Sequence, residues 1–240
     1  MNVSITNACN RRCEYCFQRD WYLSKKANST TDESVIEMTT EEFAHLCDWA
    51  GRLPCLKLLG GEPLLHSRVT DLVKIAKERG KQIAFISNIS ADEEKFDECY
   101  ALVAAEDTNV RSFLINTDYP ASQEAIFKRN LEKLCESKIE LSFSTTLLPG
   151  SREVAKARKR IEELAEIYHD IRKTMNGFRV RLAPFCPNPT NPTDFRLYDF
   201  TSDVIEFINS LYPTGIPVYG FDCPVNLCDL RSVFFDVCRE

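Results

Sequence analysis

The chain has 240 residues, 44% hydrophobic and 28% charged, with a formal net charge of −6. That length supports one large domain, or one domain with a small appendage. No apolar run approaches the ~18 residues that cross a bilayer, and dispersed basic residues in an acidic chain make a poor nucleic-acid surface. Neither a membrane nor a nucleic acid is therefore expected as a partner. Met1 to Arg12 has no apolar h-region, so no signal peptide is expected and the cytoplasm is the expected location. Eleven cysteines are many and odd in number; in a reducing compartment they point to metal or catalysis before disulfides.

The elements follow in chain order. Residues 2–6 (NVSIT) read as a first strand. Thr39 and Glu42 form a capping box ahead of Phe43, Leu46 and Cys47, so a helix follows. Residues 56–59 read as a second strand, 67–79 as a helix stopped by Gly80, and 83–87 as a third strand. A helix near 92–105, a strand at 111–116, a helix near 121–137 and a strand at 140–147 come next. In 152–174, Val154, Ala157, Ile161, Leu164, Tyr168, Ile171 and Met175 recur at spacings of three and four, the stripe of a helix lying on a sheet. Residues 178–183 read as a sixth strand.

Repeated strand–helix units imply a parallel α/β sheet. Six strands are two short of an eightfold barrel, and the count leaves an open doubly wound sheet and a barrel both standing. Beyond residue 184 the texture changes: Pro184, Pro187, Pro189 and Pro192 break regular structure, a helix is expected at 200–211, and 215–240 reads as a loop-rich tail.

Cys9, Cys13 and Cys16 lie in CNRRCEYCF, spaced C-x3-C-x2-C, directly after the first strand. Ligands of parallel α/β folds bind beyond the carboxyl ends of the strands. Three thiolates favour zinc or an iron–sulfur cluster. Structural zinc needs four ligands, and the nearest others are His45 and Cys47. Three protein ligands on a four-iron cluster leave one iron open. Arg11 and Arg12 either help keep these thiols ionised or are solvated loop residues. A thiol-redox pair at Cys13 and Cys16 is a further reading, but it leaves Cys9 unexplained.

With Tyr15 as the aromatic before Cys16, the motif resembles the radical S-adenosylmethionine superfamily signature, C-x3-C-x-aromatic-C. The resemblance implies that Cys9, Cys13 and Cys16 hold a four-iron, four-sulfur (4Fe-4S) cluster. S-adenosylmethionine would chelate the open iron and be split by one electron to a 5'-deoxyadenosyl radical that abstracts hydrogen from a substrate. Gly60-Gly61-Glu62-Pro63, in LLGGEPLLH after the second strand, looks like the family segment that contacts the cofactor's methionine amine. Glycines permit close backbone approach, and a carboxylate suits an ammonium. Ser87 and Asn88, ending the third strand, match the place of a ribose contact, and Ser144 on the fifth strand is a further candidate for the cofactor. The implied fold is a partial (β/α)6 TIM-like barrel over 1–184. A short cysteine-containing C-terminal extension would follow over 185–240.

GGEPLLH is familiar from relatives with SPASM or twitch extensions, which carry auxiliary iron–sulfur clusters. Cys223, Cys228 and Cys238 in the tail, with Cys186, are candidate ligands of one such cluster, although a complete SPASM domain has about seven cysteines. Cys47, Cys99 and Cys135 fall on apolar helix faces and read as core; Cys55 reads as structural and His66 as a turn or surface residue. The resemblance favours a peptide or protein side chain as substrate, with a small molecule as the alternative. It also implies an electron donor such as flavodoxin or ferredoxin. A non-catalytic zinc or iron–sulfur module is the competing reading; it leaves Gly60 to Pro63 without a role.

Overall fold

The computed structural model describes residues 1–13, 16, 35–147, 151–171, 180–184, 205–214 and 218–219. Seven strands form one sheet in chain order: β1 (Asn2–Thr6), β2 (Cys55–Gly60), β3 (Gln82–Ser87), β4 (Val110–Asn116), β5 (Glu140–Leu147), β6 (Val180–Pro184) and β7 (Val218–Tyr219). Every neighbouring pair is parallel. Helices α1 (Thr40–Trp49), α2 (Val69–Glu78), α3 (Glu93–Val103), α4 (Glu124–Glu136) and α5 (Ser151–Ile171) connect the first six strands. A doubly wound sheet reverses its strand order at a switch point. Here the order never reverses, so the sheet is a parallel barrel wall left open between β1 and β7.

Local sequence explains the helix boundaries. The Thr39 hydroxyl accepts from Glu42 N (3.1 Å), and the Glu42 carboxylate accepts from Thr39 N (2.8 Å), which starts α1. Gly80 follows α2 with φ +65°, the left-handed position that ends many helices. Val69, Leu72, Val73 and Ala76 of α2 are buried at helical spacing.

The two faces of the sheet differ. Val3, Leu58, Phe85, Phe113 and Leu141 lie side by side in register and are all buried. They share one hydrophobic cluster with Leu72, Phe96, Phe127 and Leu164 of the helices. Phe85 and Phe113 stack with ring centroids 4.8 Å apart. The alternate positions of β4 and β5 are Ser112, Leu114 and Asn116, and Ser142, Ser144 and Thr146. These form the other, more polar face, which leads to the site.

The chain beyond residue 184 contributes to this body. Residues 205–211 are helical, and Phe207, Ile208 and Leu211 join the same core. β7 pairs with β6 through Val180 and Val218. On the outer edge of β1, residues 36–38 return antiparallel. Met38 N donates to Ile5 O (2.8 Å), Asn7 N to Ile36 O (3.1 Å), and Thr6 bridges Glu37.

Candidate active site

Parallel strands bring all their carboxyl ends to one rim. The rim carries the Asn7–Cys13 arc after β1 with Cys16 beyond it, Gly60-Gly61-Glu62-Pro63 after β2, Ser87 and Asn88 after β3, and Asn116 to Asp118 after β4. Ser144 and Thr146 lie near the end of β5. Residues up to 113 positions apart are thereby bonded to one another, as in Gln123 and Asn10.

The glycines have a specific use. A Cβ on Gly60, whose φ is +148°, would stand 2.1 Å from Thr6 O, and one on Gly61 2.1 Å from Ala8 O. Gly61 N donates to Thr6 O (2.7 Å) and Glu62 N to Ala8 O (2.6 Å). The close approach is therefore to the end of β1, where the cysteine arc begins. Glu62 is buried, and its carboxylate accepts from Ser87 Oγ (2.7 Å), Asn88 N (2.6 Å) and Leu64 N (3.1 Å). Burial pushes this carboxyl above its ordinary range, opposed by those three bonds and by the Arg11 charge.

Cys9 is exposed, and Cys13 and Cys16 are half-buried; none of the three is in a disulfide. Cys16 N donates to Cys13 O (3.1 Å), which turns the arc. Cys9 Sγ accepts from Arg11 N at 3.4 Å. Surrounding protein pushes the Cys9 thiol up to about 11; the Arg11 N–H opposes this, and the charges of Glu62, Cys13 and Cys16 add to it. A thiol held protonated this way loses its proton when a metal binds. Among the described residues, no three His, Cys, Asp or Glu side chains are grouped to hold a single metal ion. Three sulfurs on one arc are one short of a structural zinc set. As a donor set they fit a soft iron–sulfur cluster with one iron left over.

Ser87 and Asn88 sit at the rim with their side chains engaged. Ser87 Oγ also accepts from Ile89 N (2.9 Å). Asn88 Nδ2 donates to Asn10 Oδ1 (3.0 Å), and Asn88 Oδ1 accepts from Ser90 N (2.8 Å). The next residue, Ile89, has φ +47°, a costly conformation for a β-branched residue. Asn130 holds it by donating to Ile89 O (2.8 Å) and Ala91 O (3.1 Å). Ser144 is buried, and its carbonyl accepts from Thr117 N (2.9 Å). Tyr15, Cys186, Cys223, Cys228 and Cys238 lie outside the described residues.

Two residues read differently in the structure. Arg11 is neither a solvated loop residue nor aimed at the thiols. It is buried, and its guanidinium binds five residues of the β3, β4 and α4 approaches. Its partners lie 77 to 112 positions away, so no local pattern reveals them. His66 sits in the turn after residues 63–65, as expected, but is buried there and not at the surface. Its Nδ1 accepts from Arg68 N (3.0 Å), which leaves Nε2–H to donate to Met38 O (2.9 Å). Cys47, Cys99 and Cys135 are buried core residues, as expected. Burial pushes the Cys99 thiol up to about 12.

A cavity of about 420 Å³ opens beside the arc, bordered by Arg12, Cys13, Asp118, Thr146, Lys156 and Arg160. Arg160 lies 4.2 Å from the centroid of the Tyr119 ring and donates to Thr117 O (2.9 Å), which pins α5 to the β4 loop. A larger cavity, about 610 Å³, lies between Arg158 and the 205–210 helix and includes no rim residue. The smaller one is the candidate binding space because it borders Cys13.

Comparison with known proteins bears on the family and the fold. A family profile described as the Radical SAM superfamily matches residues 3–154. A tungsten-containing aldehyde ferredoxin oxidoreductase cofactor-modifying protein of Pyrococcus furiosus is 31% identical over 90 residues, 36% of this chain and 22% of that protein. A GTP 3',8-cyclase of Chlorobaculum tepidum is 35% identical over 77 residues, 32% of this chain and 21% of that protein. The chain thus spans about a fifth of the length of these curated relatives. Among solved structures, Streptococcus suis SuiB bound to the precursor peptide SuiA superposes with a TM-score of 0.63 at 11% identity, covering 96% of this chain and 50% of that one.

Proposed function

The chain belongs to the Radical SAM superfamily, and on that premise we propose that it is an enzyme that cleaves S-adenosylmethionine reductively and abstracts hydrogen from a substrate. The observation that carries this reading is the rim itself, where the arc of Cys9, Cys13 and Cys16 meets the Gly60–Pro63 turn at the ends of parallel strands. Cys9, Cys13 and Cys16 would hold the 4Fe-4S cluster, leaving one iron for the cofactor. When bound, the cluster would supply one electron to the cofactor's sulfonium, whose broken carbon–sulfur bond would leave methionine and a 5'-deoxyadenosyl radical.

The chain's own residues would do the rest. Backbone carbonyls near Gly60 and Gly61 suit an ammonium group, with the Glu62 carboxylate keeping that turn against β3. Ser144 and Thr146, on the polar face near the β5 end, suit hydroxyl and ring-nitrogen partners. Ser87 and Asn88 hold the β3 loop in shape, so a ribose contact by either would come through a hydroxyl or amide already bonded within the protein. The cavity bordered by Cys13 would give the substrate a place beside the reacting atoms.

For the substrate, a peptide or protein side chain is the reading from the GGEPLLH resemblance, and the fold likeness to SuiB goes with it. The GTP 3',8-cyclase relative supports a small molecule instead. Cys223, Cys228, Cys238 and Cys186 would supply any auxiliary cluster, and a flavodoxin- or ferredoxin-type donor in the cytoplasm would supply electrons. Among the described residues no helix is long and apolar enough to cross a membrane.

The test is anaerobic reconstitution with iron and sulfide, then S-adenosylmethionine and a reductant. We expect 5'-deoxyadenosine to form and Cys13→Ala to abolish it. Iron near four per chain indicates one cubane, and near eight indicates two. Zinc in place of a reducible cubane would falsify this function.

A further inference from the structure

Arg11 stands between two candidate cluster ligands, yet its side chain turns away into the protein. Its Nε donates to Gln123 Oε1 (2.9 Å). Nη1 donates to Asn116 Oδ1 (3.1 Å) and Asp118 O (3.3 Å). Nη2 donates to Asn88 O (3.0 Å) and Ser90 Oγ (2.7 Å). Three segments thus meet on one guanidinium: the loop after β3, the loop after β4 and the turn before α4. Asn10 closes the same junction. Its Nδ2 donates to Ser90 O (2.6 Å), and its carbonyl accepts from Gln123 Nε2 (3.0 Å).

We propose that Arg11 is a positioning residue for the cluster: it rivets the Cys9–Cys13 arc to the ends of β3 and β4, and so sets where the cluster stands relative to the bound S-adenosylmethionine. This rests on the function proposed above. A planar fork with five N–H groups suits the task, because it fixes orientation as well as distance. Lysine would keep the charge but lose the fork. A neutral residue would lose both. The two properties read out separately: fork geometry governs cofactor affinity, and charge beside the arc governs the cluster's reduction potential.

The test uses the full chain with its cluster, in wild type, Arg11→Lys, Arg11→Gln, Gln123→Leu and the double variant Arg11→Lys/Gln123→Leu. Lys81→Met is the control. Lys81 is also buried and bonds Leu53 O (3.1 Å) and Gly51 O, at the opposite end of the sheet from the rim. Iron content, melting temperature, midpoint potential and the change in the reduced cluster's EPR spectrum on titrating S-adenosylmethionine are measured.

Arg11→Lys is expected to keep iron near four per chain and a wild-type potential, and to need about tenfold more S-adenosylmethionine for the half-maximal spectral change. Arg11→Gln is expected to shift the potential negative as well. Gln123→Leu should weaken affinity about threefold, and its effect should be less than multiplicative with Arg11→Lys. Lys81→Met should lower the melting temperature alone. Wild-type affinity in Arg11→Lys and Gln123→Leu overturns the proposal, whatever their melting temperatures. If Arg11→Lys does not fold, Gln123→Leu decides by itself. A wild type without a cubane instead overturns the function on which the proposal stands.

Discussion

Gly61 shows how a family motif works as physical packing. An added methyl would meet Ala8 O at 2.1 Å, with the Ala8 and Asn7 backbone behind it and little freedom to yield. Gly61→Ala should destabilise the fold by about 3 kcal/mol in urea unfolding and reduce iron uptake, because the displaced strand end carries Cys9. Gly80→Ala is the contrast. Its Cβ would meet nothing within 4 Å, but φ is +65°, so about 1 kcal/mol should be lost with iron uptake unchanged. At this scale the sequence discloses residue types before their duties. CNRRCEYC and GGEP are legible as strings. That the glycines make room for β1, and that Arg11 is buried, depends on contacts made across the rim.

The helices are the most legible elements, because capping and periodicity are local. The Thr39–Glu42 box and Gly80 mark two boundaries by themselves. Contacts between helices are not local. Asp97 of α3 accepts from Arg129 (3.0 Å) and Lys133 (2.8 Å) of α4. These bonds hold its carboxyl below the ordinary value. A depressed carboxyl stabilises the fold above its unfolded pKa and loses that contribution as pH falls through the folded one. Asp97→Asn should therefore lower the melting temperature slightly at pH 7, reflecting a loss of no more than ~1 kcal/mol of stability for an exposed network. The gap from wild type should close below about pH 4 and shrink in high salt. Equal melting temperatures at pH 7 in low salt would count against the network.

Across the whole molecule, strand order carries the architecture. The sequence pattern shows six strand–helix units, and the pairings turn them into a wall that never reverses direction. β7 escapes sequence reading because two residues between Pro217 and Gly220 have no periodicity to detect. Phe207 is more telling. It is fully buried among residues of the main core, although it lies after the proline-rich break. Phe207→Ala should cost about 4 kcal/mol, seen as a shift of one cooperative transition in urea. A chain ending at residue 184 should unfold more readily still. A separate, unchanged transition for the barrel wall would show that the late segment folds apart from it.

The antiparallel return of residues 36–38 along β1 has a consequence for the behaviour of many copies together. An open wall ends in a strand whose unpaired amides and carbonyls invite pairing with another chain. Here Met38 and Ile36 already take up Ile5 O and Asn7 N, so the carboxyl end of that flank is covered from within. Unlatching it by Met38→Pro, which removes the N–H bonded to Ile5 O, should leave a protein that self-associates in light scattering as its concentration rises.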